Sequence, residues 1–197
     1  MLRLTLATRN AHKAREFAQI LGPDFVVLDL AGNRDLPLIE ETGHTFEENA
    51  ILKAIAASAA VDGWVMADDS GLEVAALGGA PGVRSARYAG DGASDSDNVA
   101  KLLAALATVD GESRAARFRC ALALAEEGKL RRVFHGAIGG RITTERQGES
   151  GFGYDPIFVP IGYSQTFSEL GGGVKNHISH RAQAIAQLRD YLRLPRQ

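Results

Sequence analysis

The spacing of apolar and polar residues changes repeatedly along the chain, and each change predicts an element. Residues 2–7 (LRLTLA) alternate apolar and polar, the period of a strand. Asn10 then suits the cap of a helix over 11–21, with Phe17, Ile20 and Leu21 on one face. FVVLD (25–29) predicts a second strand, and the polar, turn-rich residues 31–44 a loop. Thr45 and Glu48 have the T-x-x-E spacing of a capping box, so an alanine-rich helix is expected to about residue 60. WVMA (64–67) predicts a short buried strand ending at Asp68 and Asp69. Residues 70–92 hold six glycines and Pro81, and predict an irregular surface segment.

Further on, residues 96–108 predict a helix. FRCALALAEE and LRRVFHGAIGGRIT predict an antiparallel hairpin turning at Glu127 and Gly128. GFGYDPIFVP predicts a glycine-flanked turn leading into a strand, and Ser179 precedes a last helix over 180–193. This order of strands and helices implies an α/β fold with a mixed sheet. No repeat or linker divides residues 1–197, so one domain or a compact two-lobed unit is expected.

Composition narrows the function classes. The formal net charge of −2 provides no global field for nucleic acid or acidic membranes. No apolar run approaches the roughly 20 residues that span a bilayer, and MLRLTLATRN does not resemble a signal peptide. Cys120 is the single cysteine, within CALALA, and reads as a small buried apolar residue in a reducing compartment. A cytoplasmic protein is expected.

Three constellations bear chemistry. Asp68 and Asp69 stand where a strand is predicted to stop, the place where open α/β sheets bind ligands. Their oxygens suit Mg²⁺, which commonly takes one or two carboxylates plus substrate phosphates. Glu40 and Glu41 offer another carboxylate, while Asp-Ser-Gly is equally good turn chemistry. Next, TRNAHK (Thr8, Arg9, Asn10, Ala11, His12, Lys13) follows a strand and opens a helix, a geometry that holds anions on free N–H groups. It lacks the glycines and G-K-[ST] ending of a Walker A loop.

Arg9, His12 and Lys13 oppose the helix dipole at that start. His180 and Arg181 repeat the arrangement at the last helix, with Lys175 just upstream, and Lys53 shares a helix face with Asn49. Several cations near a metal-binding acid pair suggest a nucleoside triphosphate. In GFGYDP (151–156), glycines admit a close ligand, Phe152 and Tyr154 offer rings for a base, and Gly153, Asp155 and neighbouring N–H groups can read its edge. A tight turn with core aromatics explains the same residues.

Together LATRNAHKAREF, EETGHTFEENAILKA, ADDSGLEVAALGGAPGVRSARYAG, RFRCALAL, GFGYDPIF and KNHISHRAQA resemble the inosine triphosphate pyrophosphatase family, the non-canonical purine NTP pyrophosphatases. The resemblance implies a long twisted mixed sheet flanked by helices, in two lobes with the site in the cleft between them. It implies a Mg²⁺-dependent homodimer that hydrolyses ITP, dITP and XTP to monophosphate and pyrophosphate. Carried over by position, Asp69 is the general base and a metal-site residue, and Glu41 the other metal-site carboxylate. Residues 8–13, Lys53, Ser70 and Lys175 match phosphate or sugar contacts. Phe152, Gly153, Tyr154, Asp155, His180 and Arg181 match the base pocket. The chain departs at Arg9, where the family usually has glycine. A related pyrophosphatase with another base preference, and a non-catalytic nucleotide sensor, are the rival readings.

Overall fold

A computed structural model describes residues 1–30 and 39–193. The loop expected over 31–44 therefore lies partly outside the described residues, at 31–38; residues 39–44 form no helix or strand. Among the described residues, six strands hydrogen-bond in one sheet in the order β2-β1-β3-β4-β5-β6. They are β1 (Leu2–Leu6), β2 (Phe25–Asp29), β3 (Trp64–Val74), β4 (Ala115–Glu126), β5 (Lys129–Ile142) and β6 (Phe158–Pro160). Strand β1 pairs in parallel with β2 and β3, and β5 pairs antiparallel with β6, so the sheet is mixed as expected. The α-helices are α1 (Ala11–Leu21), α2 (Phe46–Ser58), α3 (Asp95–Ala105), α4 (Phe167–Ile178) and α5 (His180–Arg193).

The chain forms two compact units, and β3, β4 and β5 each contribute a segment to both. The first holds residues 1–69, 120–136 and 181 onward. In its core Leu4, Leu6 and Met66 of the strands pack with Phe17 and Leu21 of α1 and Ile185 and Leu188 of α5. The second holds residues 70–119 and 137–180. Its core joins Leu72, Val74, Phe118 and Phe158 to Val99 and Leu102 of α3 and Phe167 of α4. Each such side chain contributes about 1.5–3 kcal/mol on burial.

Strand β4 shows how sequence writes this division. Residues 115–119 alternate exposed and buried, whereas CALALA (120–125) is buried throughout. One-sided cover gives alternation, and two-sided cover gives a continuous apolar run. The hairpin turns at Glu127 and Gly128, both with positive φ (53° and 70°), the conformation that fits the twist of a two-residue connection.

Three expectations fail. The strand containing WVMA does not stop at the aspartates but runs on to Val74, so Asp68 and Asp69 are interior to β3. What stops is its partner: β1 pairs with β3 only up to Leu6–Met66. Residues 70–74, read as irregular surface, are strand, with Leu72 and Val74 fully buried; two short 3₁₀ segments (75–77 and 82–87) follow. Helix α4 was not expected at all. Gly171, Gly172 and Gly173 weaken helix propensity, and Gly171 breaks the helical backbone with φ 72°. A capping box between Thr166 and Glu169 starts the helix, and T-F-S-E is its signature. The Thr45 cap is half of a box: Thr45 accepts from Glu48 N–H, while the Glu48 carboxylate reaches His44 N–H instead.

Candidate active site

In the first unit, β1 delivers the chain to the start of α1. Asn10 Oδ1 caps this helix by accepting from His12 N–H (2.9 Å) and Lys13 N–H (3.2 Å), and Thr8 Oγ1 accepts from Asn10 N–H. This local bonding fixes residues 8–10 and the first turn of α1, with Arg9 and His12 exposed. Lys13 turns inward, donating to both Asp68 oxygens at 3.1 and 3.2 Å.

Asp68 also accepts from Arg181 Nε at 3.2 Å, and Arg181 Nη1 reaches Glu16 at 2.9 Å. Burial alone would raise the Asp68 pKa. Lys13, Arg181 and Lys53 overrule it and hold the carboxyl well below the usual carboxylate range. Burial likewise works against the Arg181 charge, but Glu16 and Asp68 secure it. Thus Arg181 at the start of α5 is balanced by two acids of its own unit, and its position against the helix dipole needs no anion to explain it.

Asp69 is the next residue in an extended strand, so its side chain points to the opposite face. There α2 meets it. Asn49 Nδ2 donates to Asp69 Oδ2 at 3.1 Å, and Lys53 Nζ lies 3.4 Å from Oδ1. The same ammonium reaches Glu41 Oε1 at 2.7 Å and the Asp68 backbone carbonyl at 2.8 Å. Burial raises the Asp69 pKa and Glu41 adds repulsion; Lys53 and the Asn49 hydrogen bond oppose them without cancelling the rise. Burial works against the Lys53 charge, but Asp69, Asp68 and Glu41 outweigh it and raise that pKa.

The acid pair of the sequence therefore does not form a joint cation site. Asp68 is neutralised by Lys13 and Arg181, whereas Asp69 is grouped with Glu41 around Lys53. Glu40 is exposed. Among the described residues no three His, Cys, Asp or Glu side chains converge as a metal centre. Two carboxylates facing one cation are nevertheless the donor set that Mg²⁺ uses when phosphates complete its shell.

In the second unit, the GFGYDP turn is held by acids. Phe152 N–H donates to Asp155 Oδ2 at 3.0 Å, and Gly153 N–H to Asp95 Oδ2 at 2.6 Å. Lys175 Nζ donates to Asp155 Oδ2 at 2.7 Å and stands 4.3 Å from the centroid of the half-buried Phe152 ring. A side chain at Gly151 would collide with Asp155 Oδ2, and its φ of 83° also favours glycine. Tyr154 is not a stacking surface as expected. Its ring lies in the core and its hydroxyl donates to Ser85 O at 2.8 Å. His180 is buried, stacked on Phe118 with rings 4.8 Å apart and 8° from parallel. Lys175, matched to phosphate or sugar by position, is brought to Asp155 and Phe152; Ser70 follows Asp69 in β3, partly exposed.

A family model described as the Ham1 family matches residues 4–191. The chain belongs to the Ham1 family. It is 49% identical over 189 residues to the dITP/XTP pyrophosphatase of Bacillus licheniformis, covering 95% of this chain and 96% of that protein. With the Bacillus subtilis protein of the same description it shares 50% over 184 residues, 93% of each chain. Among solved structures, a HAM1 protein from Coxiella burnetii superposes with a TM-score of 0.86 at 43% identity, covering 98% of both chains.

Three polar partners of these candidate residues were not singled out from sequence: Glu16 and Asp95 not at all, and Asn49 only as a neighbour of Lys53 on one helix face. Glu16 sits one turn after Lys13, beside Phe17 on the apolar side of α1, and that position was its only signal. Asn49 lies among the buried Phe46, Ala50 and Ala54 of α2, where a polar residue demands a partner. Asp95 in the first turn of α3 looks like ordinary helix-start charge, and nothing local announces its bond to Gly153.

Proposed function

We propose that this chain hydrolyses non-canonical purine nucleoside triphosphates (ITP, dITP and XTP) to the monophosphate and pyrophosphate. The observation that supports it best is Asp69: a buried carboxylate of raised pKa, engaged by Asn49 and Lys53 and facing Glu41. Such a group suits general-base work better than an ordinary surface aspartate does. The names of the Bacillus relatives, dITP/XTP pyrophosphatase, supply the reaction class.

In this reading the triphosphate goes to residues 8–13, Lys13 and Lys53, where N–H groups and ammonium groups offset its charge. Mg²⁺, held through Glu41 and Asp69, would polarise the phosphate oxygens when bound. Lys53 already presents a cation to both carboxylates, so these oxygens are arranged for positive charge. Asp69 accepts the proton of the attacking water at Oδ1, since Oδ2 is committed to the shorter bond from Asn49. Lys13 and Lys53 then stabilise the charge that builds on pyrophosphate as it leaves.

The base goes to the 151–155 turn, with Phe152 as its apolar surface. The N–H groups of Phe152 and Gly153 are spent on Asp155 and Asp95. Recognition of the 6-oxo group therefore falls to the remaining donors of the turn and to His180 and Arg181. A working homodimer in the cytoplasm belongs to the same reading, by resemblance, and light scattering tests the assembly.

Product analysis tests the reaction. Incubation with ITP and Mg²⁺ is expected to yield IMP and pyrophosphate in equal amounts, and EDTA to stop it. Release of orthophosphate, or tight binding of ITP with no turnover, would replace this reading by a phosphatase or a nucleotide sensor.

A further inference from the structure

Asn49 is fully buried in α2, and both ends of its amide are used. Oδ1 accepts from Gly43 N–H at 2.8 Å, and Nδ2 donates to Asp69 Oδ2 at 3.1 Å. The chemistry of its two partners fixes which end of the amide is which. A backbone N–H can only donate and an ionised carboxylate can only accept, so the amide fits one way round. The Gly43 backbone is close enough that a side chain there would come within 2.7 Å of Asn49 Oδ1 and of Glu48 Cβ.

Gly43 lies two residues after Glu41. One side chain therefore links the segment carrying Glu41 to the carboxylate of Asp69, and both acids also meet Lys53. We infer that Asn49 is a positioning residue: it locks the Asp69 carboxylate through Oδ2, leaving Oδ1 to Lys53 and the reaction, and holds the 41–43 segment so that Glu41 stays opposite it. This rests on the reading of Asp69 as the general base. Misplacing a reacting group by about 1 Å can cost about 100-fold in rate, so a single hydrogen bond at this point matters. The cost of burying an amide amid alanines is met only while both partners are present.

The test compares Asn49→Asp and Asn49→Ala with the wild type, reading kcat and KM for ITP in Mg²⁺ and the fold by circular dichroism. Asn49→Asp keeps the shape and the acceptor for Gly43 but loses the donor to Asp69; Asn49→Ala loses both. The expected result is a fall in kcat of about 10- to 100-fold with KM changed less than about threefold, the signature of an interaction made in the transition state. Added to Asp69→Asn, Asn49→Ala should lower kcat by less than about twofold further, because its effect passes through Asp69. A folded variant with wild-type kcat, an equal loss in the Asp69→Asn background, or unfolding of both variants would each overturn the inference. Absence of pyrophosphate release by the wild type would instead defeat the reading of the activity itself.

Discussion

Asp68 and Asp69 are neighbours in β3, yet their carboxylates serve opposite faces of the sheet: Asp68 accepts from Lys13 and Arg181, and Asp69 from Asn49 with Lys53 close by. The alternation of a strand separates the two roles in one peptide step. Asp68 is a structural anion at the centre of a buried ion network. Asp69 is the group whose charged form the fold disfavours.

Stability should distinguish them. Asp68 has a depressed folded pKa, so its contribution is fully present above the unfolded value near 3.8 and is lost as pH falls through the folded value. Asp69 has a raised folded pKa, so its ionised form costs stability, a cost that disappears as pH falls toward 3.8. Urea unfolding at pH 7 should therefore show Asp68→Ala destabilised by about 3–5 kcal/mol, the range for breaking a buried ion pair. Asp69→Asn should be as stable as the wild type or more so. The reverse order would refute the assignment.

Turnover should divide the other way. Asp69→Asn, folded, is expected to lose about 10²–10⁴ in kcat for ITP, the usual contribution of a positioned base. Near-wild-type kcat in that variant would remove Asp69 from the chemistry.

Glu41→Gln removes one of the two charges offered to Mg²⁺ while leaving Lys53 a hydrogen-bond acceptor. The Mg²⁺ concentration for half-maximal pyrophosphate release should rise about tenfold or more, as expected when a hard cation loses a carboxylate ligand. An unchanged metal titration would place the cation elsewhere.

Gly151→Ala addresses the base turn. The new methyl would collide with Asp155 Oδ2 at a positive φ, displacing the bonds of Asp155 to Phe152 and Lys175. Strain of about 1–3 kcal/mol would raise the KM for ITP by about fivefold or more. A KM equal to that of the wild type would separate this turn from base binding.

Much of this was legible in local sequence. The Asn10 cap, the strand at FRCALALAEE (found as 115–126) and the Glu127–Gly128 turn are set by near neighbours and lie close to where the pattern predicts them. The candidate residues were named from sequence, but their partnerships were not. Which cation meets which acid depends on helices α1, α2 and α5 reaching β3 from distant parts of the chain, and no local signal encodes that. The error at WVMA has a similar cause. Two aspartates look like a strand end, because only tertiary partners such as Lys13 and Arg181 make Asp68 tolerable inside a strand. Tyr154 misled for the converse reason: an aromatic in a glycine-flanked turn suits a ligand and a core equally well.

Pyrophosphate release from ITP, XTP, GTP and ATP at equal concentration, with Mg²⁺ and with EDTA, is the most direct test of the proposed activity. A pocket that pairs a buried donor with the 6-oxo group should favour ITP and XTP over ATP by about tenfold or more in kcat/KM, with no release in EDTA. Equal turnover of ITP and ATP, or release that persists in EDTA, would contradict it.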